Sequence, residues 1–130
     1  WLWWLVGFLI ITFTCGLIIS IVFQLAHVIE GTEFHVVSDD VSDRTEWALH
    51  QINSTANFAT SSKTLHWLLG GLNFQIEHHL FPRVSHIHYP AISKMVKEAC
   101  RESNIRYNEY TSMFKAVASH LVLLRKLGKA

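Results

Sequence analysis

The first pattern in this chain is an uncharged apolar run at its start. Residues 1–26 contain no Asp, Glu, Lys or Arg, and about 20 such residues cross a bilayer as a helix. Three tryptophans lie within the first four residues, where aromatic rings settle at lipid headgroups, and Gln24 and His27 mark the polar exit. A cleavable signal peptide would need a basic leader and a small-residue cleavage site, which the run lacks. The pattern therefore predicts a transmembrane helix over residues 1–26.

Polar and apolar positions alternate over shorter distances after His27. An acidic stretch follows and predicts a solvated loop that leads to a helix. Residues 46–59 contain Ser, Thr and Asn positions that favour turns and caps, so helix and turn both stay open there. The apolar residues 65–72 are too few to span a bilayer and are interrupted by Gly70-Gly71, which predicts a packed or re-entrant element.

Two segments near the end have helical periodicity. Pro90 suits a first helical turn, and apolar residues then recur three and four positions apart. The same spacing returns after Thr111, so we expect amphipathic helices at about 90–103 and 111–126. From Lys63 onward there are ten Lys or Arg and four Asp or Glu. These helices suit either an anionic membrane surface or the outside of a cytosolic domain.

Composition agrees with a membrane protein. The chain is 50% hydrophobic and 16% charged, which is more apolar and less charged than an ordinary soluble domain. The net charge of +1 and the lack of a basic block exclude a nucleic-acid partner. Two cysteines indicate neither a disulfide framework nor a zinc knuckle. Because the sequence starts at Trp1 inside an apolar run, we expect a piece of a longer chain.

The candidate chemistry is concentrated in residues 75–79. If these residues are helical, Gln75 precedes His78 and His79 by three and four positions, so the three side chains share one face. Neutral imidazoles suit iron, copper or zinc rather than calcium or magnesium, and the residues alone leave these three metals open. The histidines that lie apart from this group are expected to be surface or packing residues; they are His35, His50, His66 and His120.

Gln75-x-x-His78-His79, followed by Leu80-Phe81-Pro82, resembles the third histidine box of the membrane fatty acid desaturases. Glutamine in the first position resembles the front-end subgroup, which inserts a double bond between an existing one and the carboxyl end. The wider segment GGLNFQIEHHLFPRVSHIHYPAI, with His50-Gln51 and Asn57-Phe58-Ala59 upstream, is similar to the linoleoyl-CoA desaturase type.

The resemblance implies an all-α integral membrane fold. Residues 1–26 would be the last helix of a four-span bundle, and residues 27–130 a cytosolic helical cap that carries the box at 75–79. The membrane would be the endoplasmic reticulum in a eukaryote or the inner membrane in a bacterium. The family's first two boxes, H-x-x-x-H and H-x-x-H-H, do not occur in these 130 residues. We therefore expect the fragment to be inactive alone.

The resemblance also implies a centre of two iron ions. His78 and His79 would be catalytic ligands, with His27 as a further ligand just beyond the last span. The alternative for His27 is an interfacial histidine that marks the helix end. Gln75 would bind iron directly, or act only through water or substrate.

Four further residues are candidates for support of these ligands. Glu30 would hold the other N–H of His27 if the helix continues. Glu77 would act similarly, or else be a solvated carboxylate. His86 and His88 lie beside the box, where hydrogen bonds to the backbone are the alternative to a supporting role.

The implied function is O2-dependent desaturation of a fatty acyl-CoA or acyl-lipid at the bilayer. Two electrons would come from a b-type cytochrome domain or a ferredoxin. A lipid hydroxylase or a sphingolipid desaturase is the alternative within the family, since the same iron centre can return oxygen to the substrate. A non-catalytic membrane metal-binding or transport module is the alternative of another class. Transport would place polar or ionisable residues inside the span, and residues 2–23 contain only Thr12, Thr14, Cys15 and Ser20 as mildly polar members.

Overall fold

The computed structural model of this chain describes residues 1–32 and 44–129. The described residues form six α-helices, a 3₁₀ helix at His86–His88 and two strands of two residues each. The helices are α1 (Leu2–His27), α2 (Arg44–Ser54), α3 (Lys63–Leu68), α4 (Gln75–Leu80), α5 (Tyr89–Glu102) and α6 (Met113–Leu127), and the strands are β1 (Asn57–Phe58) and β2 (Glu109–Tyr110).

Helix α1 is apolar on every side. In the described part of the chain it is the one helix that is long and apolar enough to cross a membrane. Its side chains are exposed along most of its length, and the buried ones, Val22, Leu25 and Ala26, lie near its end. A helix that is apolar all round must be covered by protein or by lipid. The fold thus attaches only the last turns of α1 to the rest of the described chain.

The end of α1 is fixed by contacts from two later segments. The helix stops at His27, and the Thr32 hydroxyl lies 3.0 Å from the His27 carbonyl oxygen and 2.8 Å from that of Ile29. The backbone N–H of Ala56 donates to the Ala26 carbonyl at 2.9 Å. Since the last carbonyls of a helix have no partner within it, these donors satisfy groups that would otherwise lose hydrogen bonds on burial.

Strands β1 and β2 pair in parallel, with Asn57 opposite Glu109 and Phe58 opposite Tyr110. The backbone N–H of Phe58 donates to the Asn73 carbonyl at 3.1 Å, which ties β1 to the residues just before α4. The chain is mostly helical, but this sheet makes the expectation of an all-α fold wrong in detail. Two residues are too few for the alternating pattern by which a strand is recognised in a sequence.

Two apolar clusters hold the elements together, and α4 contributes Ile76 to one of them. The membrane-side cluster joins the end of α1 to β1 and α6, and Leu65 and Leu69 pack against it from the α3 segment. The cap-side cluster joins α2, α4 and α5. The buried members of the membrane-side cluster are Val22, Leu25, Phe58, Ala59 and Ala116, and those of the cap-side cluster are Ile52, Ile76, Val96 and Cys100.

The segment at residues 65–72 forms a short helix and a turn rather than one continuous element. The Ser62 side chain accepts a hydrogen bond from the Leu65 N–H and begins α3. Gly70 and Gly71 follow its end with φ angles of 56° and 81°, a left-handed conformation that favours glycine. A Cβ on Gly71 would lie 2.5 Å from the Cβ of His86, so the turn packs directly on the 3₁₀ helix.

Helices α5 and α6 form in the two segments whose amphipathic periodicity predicts helices. Helix α5 has Pro90 in its first turn and buries Ser93, Val96 and Cys100. Helix α6 begins after Ser112, whose side chain accepts a hydrogen bond from the Lys115 N–H. The acidic stretch after Thr32 falls mostly on residues 33–43 and so lies outside the described residues.

Candidate metal centre

Helix α4 brings the side chains of Gln75, His78 and His79 onto one face. Gln75 begins the helix and is 5% exposed. Its side-chain nitrogen lies 3.3 Å from Nε2 of His79, one turn later. His78 lies between them in sequence, and its ring centroid is 5.8 Å from that of His79, with the rings nearly perpendicular. The helical geometry expected for this segment is therefore present.

His27 reaches the same point from the end of α1. Its Nε2 lies 3.2 Å from the side-chain nitrogen of Gln75, and its ring centroid is 5.1 Å from that of His79. The ring is also hydrogen bonded to the backbone of Ser54, where α2 ends. Two imidazole nitrogens from distant parts of the sequence thus converge on one side-chain amide.

The protonation of His79 follows from its other neighbour. Its Nδ1 lies 2.8 Å from Oε1 of Gln51 on α2. Because an amide oxygen only accepts, Nδ1 carries the proton and Nε2 keeps its lone pair. This lone pair faces the side-chain nitrogen of Gln75. A histidine held by its other nitrogen in this way is the usual arrangement for a metal ligand.

Electrostatics keep His79 neutral. Burial, and to a smaller extent repulsion from His27 and His78, lowers the pKa of its imidazole from the usual 6.5 to about 4. The neutral form is the one that binds metal ions. At neutral pH Nε2 therefore carries no proton that would have to leave before this nitrogen could bind a metal ion.

His78 lies to one side of the other three residues. Its Nδ1 is 3.3 Å from the hydroxyl of Tyr89. Within residues 1–32 and 44–129, no three His, Cys, Asp or Glu side chains are close enough together to hold a metal ion. The convergent group contains two imidazoles and an amide, with a third imidazole beside it.

An apolar cavity of about 250 Å³ adjoins this group. It is formed between the last turns of α1 and the α3 segment, and the polar side chains of Gln75 and His78 form part of its wall. Such a cavity suits a hydrocarbon chain held next to a few polar groups. Its apolar wall consists of Ile18, Ile19, Val22, Phe23, Leu68, Leu69 and Leu72.

Glu30 does not support His27 as expected. Its carboxylate pairs with Nζ of Lys126 on α6 at 2.5 Å. The expectation required the helix to continue past His27, but α1 ends there, so the spacing of three residues no longer places Glu30 beside the ring. The backbone of Ser54 provides the hydrogen bond instead.

Glu77 is fully buried, so the alternative of a solvated carboxylate is wrong. Its Oε2 accepts from Nδ2 of Asn57 at 2.7 Å, and its Oε1 accepts from the Tyr107 hydroxyl at 2.7 Å. Burial raises the pKa of Glu77, and the two hydrogen bonds oppose that rise. Its partners are thus on β1 and before β2, on the side of α4 away from His27.

His86 and His88 lie in the 3₁₀ helix that precedes α5. The ring of His86 faces the ring of His66, with 5.8 Å between centroids, and its Cβ packs under Gly71. His88 is exposed. Both residues follow α4 closely in the sequence. Among the described residues, His86 packs against His66 and Gly71 rather than against His78 or His79.

The histidines expected to be isolated have ordinary surroundings where they are described. His50 is half-buried on α2. Nδ1 of His120 is hydrogen bonded to the carbonyl of Val28, which helps to dock α6 on the end of α1. His66 is half-buried beside the turn after α3. His35 lies outside the described residues.

Comparison with known proteins gives matches over most of the chain. The family model described as fatty acid desaturase matches residues 1–111. The chain is 42% identical to the sn-1 linoleoyl-lipid 6-desaturase of Synechocystis sp., over 97% of this chain and 35% of that protein. It is 40% identical to the protein of the same name from Arthrospira platensis, over 95% and 33%, and 37% identical to the acyl-lipid (8-3)-desaturase of Physcomitrium patens, over 87% and 23%. No solved structure matches it.

This chain spans about a third, or less, of the length of these relatives. The matched region includes α1, the 75–79 segment and both strands. The one helix of membrane-spanning length in the described part of the chain is consistent with this family. The chain belongs to the fatty acid desaturase family.

Proposed function

We propose that this chain forms the last membrane helix and the third histidine box of an O2-dependent acyl-lipid desaturase of the front-end type. The observation that carries the proposal is the convergence of His27 and His79 on Gln75, next to the apolar cavity. A hydrocarbon chain in that cavity would lie beside the polar groups that the described residues place on its wall, Gln75 and His78.

The donor set fits iron. His79 presents a neutral nitrogen with its lone pair directed at Gln75, and Nε2 of His27 lies at nearly the same distance from that amide. Imidazole nitrogens are suitable ligands for this metal. His27, His78 and His79, with Gln75, would hold part of a centre of two iron ions. The remaining ligands would come from two further histidine boxes on the same protein.

When bound, the iron centre supplies the activation of O2 that removes hydrogen from an unactivated methylene. The acyl chain gives up two hydrogens, a b-type cytochrome domain or a ferredoxin supplies two electrons, and two protons are taken up, so that O2 leaves as two water molecules. This chain contributes by positioning the acyl chain. The cavity wall holds the acyl chain and excludes water, and the distance along the cavity selects the carbon that reacts.

The names of the relatives narrow the class of substrate that we propose for this protein. Their names specify acyl-lipids, and the two cyanobacterial names specify a linoleoyl chain. We therefore favour a lipid-linked, already unsaturated acyl chain, with the new double bond on its carboxyl side. We also infer a cytosolic position for the residues that follow α1, as the family resemblance implies. A four-span bundle capped by these residues is the corresponding architecture.

The experiment expresses the full-length protein in cells that lack this activity and supplies linoleate. Gas chromatography of the membrane lipids should reveal a product with one more double bond. His79→Ala should reduce the product at least 100-fold, whereas His50→Ala, which removes a half-buried histidine from α2, should retain it. Conversion that survives in His79→Ala would remove this residue from the centre, and a hydroxylated product would identify a hydroxylase.

A further inference from the structure

A closed set of buried polar side chains holds the face of α4 opposite the candidate ligands. With about 100° per residue, Gln75, His78 and His79 fall within an arc of about 100°, and Glu77 lies about 150° from its centre. Glu77 is 0% exposed, and so is its partner Asn57. The polar contact is therefore made in the interior, on the far side of the helix from His27.

The set uses every side-chain N–H and O–H of Asn57 and Tyr107. Nδ2 of Asn57 donates to Glu77 at 2.7 Å and to the Tyr107 hydroxyl oxygen at 2.6 Å. That hydroxyl gives its own hydrogen to the other oxygen of Glu77, so Ser93, 3.0 Å away, is the donor in their contact. Oδ1 of Asn57 accepts from the backbone N–H of Ile76 at 2.9 Å. Because no donor is duplicated, loss of the Tyr107 hydroxyl removes a donor from Glu77 and an acceptor from Asn57.

Helix α4 needs such support because it is short. It has six residues, and isolated helices of this length are not stable in water. Phe74 precedes it and has no polar side chain to cap the first turn. Asn57 replaces that cap by accepting from Ile76, and Glu77 fixes the rotation of the helix about its axis.

We propose that Glu77, Asn57 and Tyr107 are positioning residues that set the rotation of α4 about its axis. This rotation places Gln75 and His79 next to His27. The inference rests on the proposed function. A rotation of α4 by one-tenth of a turn would move side-chain ends several ångströms from its axis by a few ångströms, which is enough to separate Nε2 of His79 from its present neighbours. The metal centre would then lose its geometry while the fold survives.

The test compares Tyr107→Phe with Tyr110→Phe in the full-length protein. Both changes remove a part-buried phenol hydroxyl, but that of Tyr110 contacts Ser119 and the backbone of Glu30 and does not reach α4. Two quantities are measured: the rate at which a chelator removes iron from the purified protein, and amide hydrogen exchange of residues 75–80 in the metal-free protein.

We expect Tyr107→Phe to speed iron loss about tenfold and to speed exchange in α4, and Tyr110→Phe to change neither. Equal effects of the two variants on both quantities would overturn the positioning role. If Tyr107→Phe does not accumulate, Ser93→Ala is used in its place, because this change removes one donor to the Tyr107 hydroxyl. Iron loss from Ser93→Ala at the wild-type rate would then overturn the positioning role. Wild-type protein without iron would refute the proposed function, while the exchange comparison would still decide the role of the network.

Discussion

Replacement of Gln51 by leucine removes the acceptor that fixes the proton of His79. In the structure this proton lies on Nδ1, 2.8 Å from Oε1 of Gln51, and Nε2 keeps the lone pair directed at Gln75. Leucine has a similar size but accepts no hydrogen bond. The imidazole would then be free to rotate or to carry its proton on Nε2, and neither state presents a ligand in the right direction.

The expected loss can be estimated from the contact. A single neutral hydrogen bond contributes about 0.5–1.5 kcal/mol. Loss of a residue that orients a metal-binding histidine typically costs about 10- to 100-fold in metal affinity, or about 1.4–2.7 kcal/mol. Because His79 is half-buried and water can partly replace Gln51, we expect the lower end, about tenfold weaker iron binding.

The assay is the rate of iron release to a chelator from purified full-length protein, with Gln51→Glu as the matched control. Glutamate has the same length and still accepts from Nδ1, so Gln51→Glu should hold iron at least as well as the wild type. If Gln51→Leu releases iron at the wild-type rate, the orientation of His79 does not depend on Gln51. If both variants fail equally, the loss comes from packing of α2 and not from the hydrogen bond.

Two further predictions concern stability. Burial holds the pKa of His79 near 4 in the folded state, against its usual value of 6.5. Between pH 4 and 6.5 the unfolded state therefore binds more protons than the folded state. The metal-free protein should accordingly lose stability as the pH falls from about 6.5 to 4. Thermal unfolding should show this slope, and a His79→Asn variant with the same slope would refute the assignment. Gly71→Ala should cost about 1–3 kcal/mol, since φ is 81° and a Cβ would meet His86. Gly70→Ala, with φ 56° and open space around its Cβ, should cost less, and equal unfolding midpoints would contradict the close packing.

Much of the architecture could be predicted from local patterns. The uncharged run predicts α1 because a bilayer imposes a strong length requirement on the sequence. The spacing of Gln75, His78 and His79 predicts a shared face because it depends only on helical geometry. Both inferences use residues that are close in sequence.

The contacts that the sequence does not predict depend on residues that lie far apart in it. Glu30 does not lie beside His27, because contacts from Thr32 and Ala56 cap α1 and end it there. Gln51 is 28 residues from His79, and Tyr107 is 30 residues from Glu77. No periodicity connects such pairs, so only the folded arrangement of α2, α4 and the two strands reveals them.

The firm attachment of the end of α1 has a consequence for how the protein adjusts to bilayer thickness. Its 26 residues make a helix about 39 Å long, which exceeds a hydrocarbon core of about 30 Å. Such a mismatch is relieved by tilt or by movement of one helix end. Ala56 and Thr32 tie the last turn, which contains His27, to the rest of the described chain, so we expect the adjustment to occur away from that turn, toward the tryptophan-rich part of α1. Lipid thickness can therefore change without moving His27 away from Gln75.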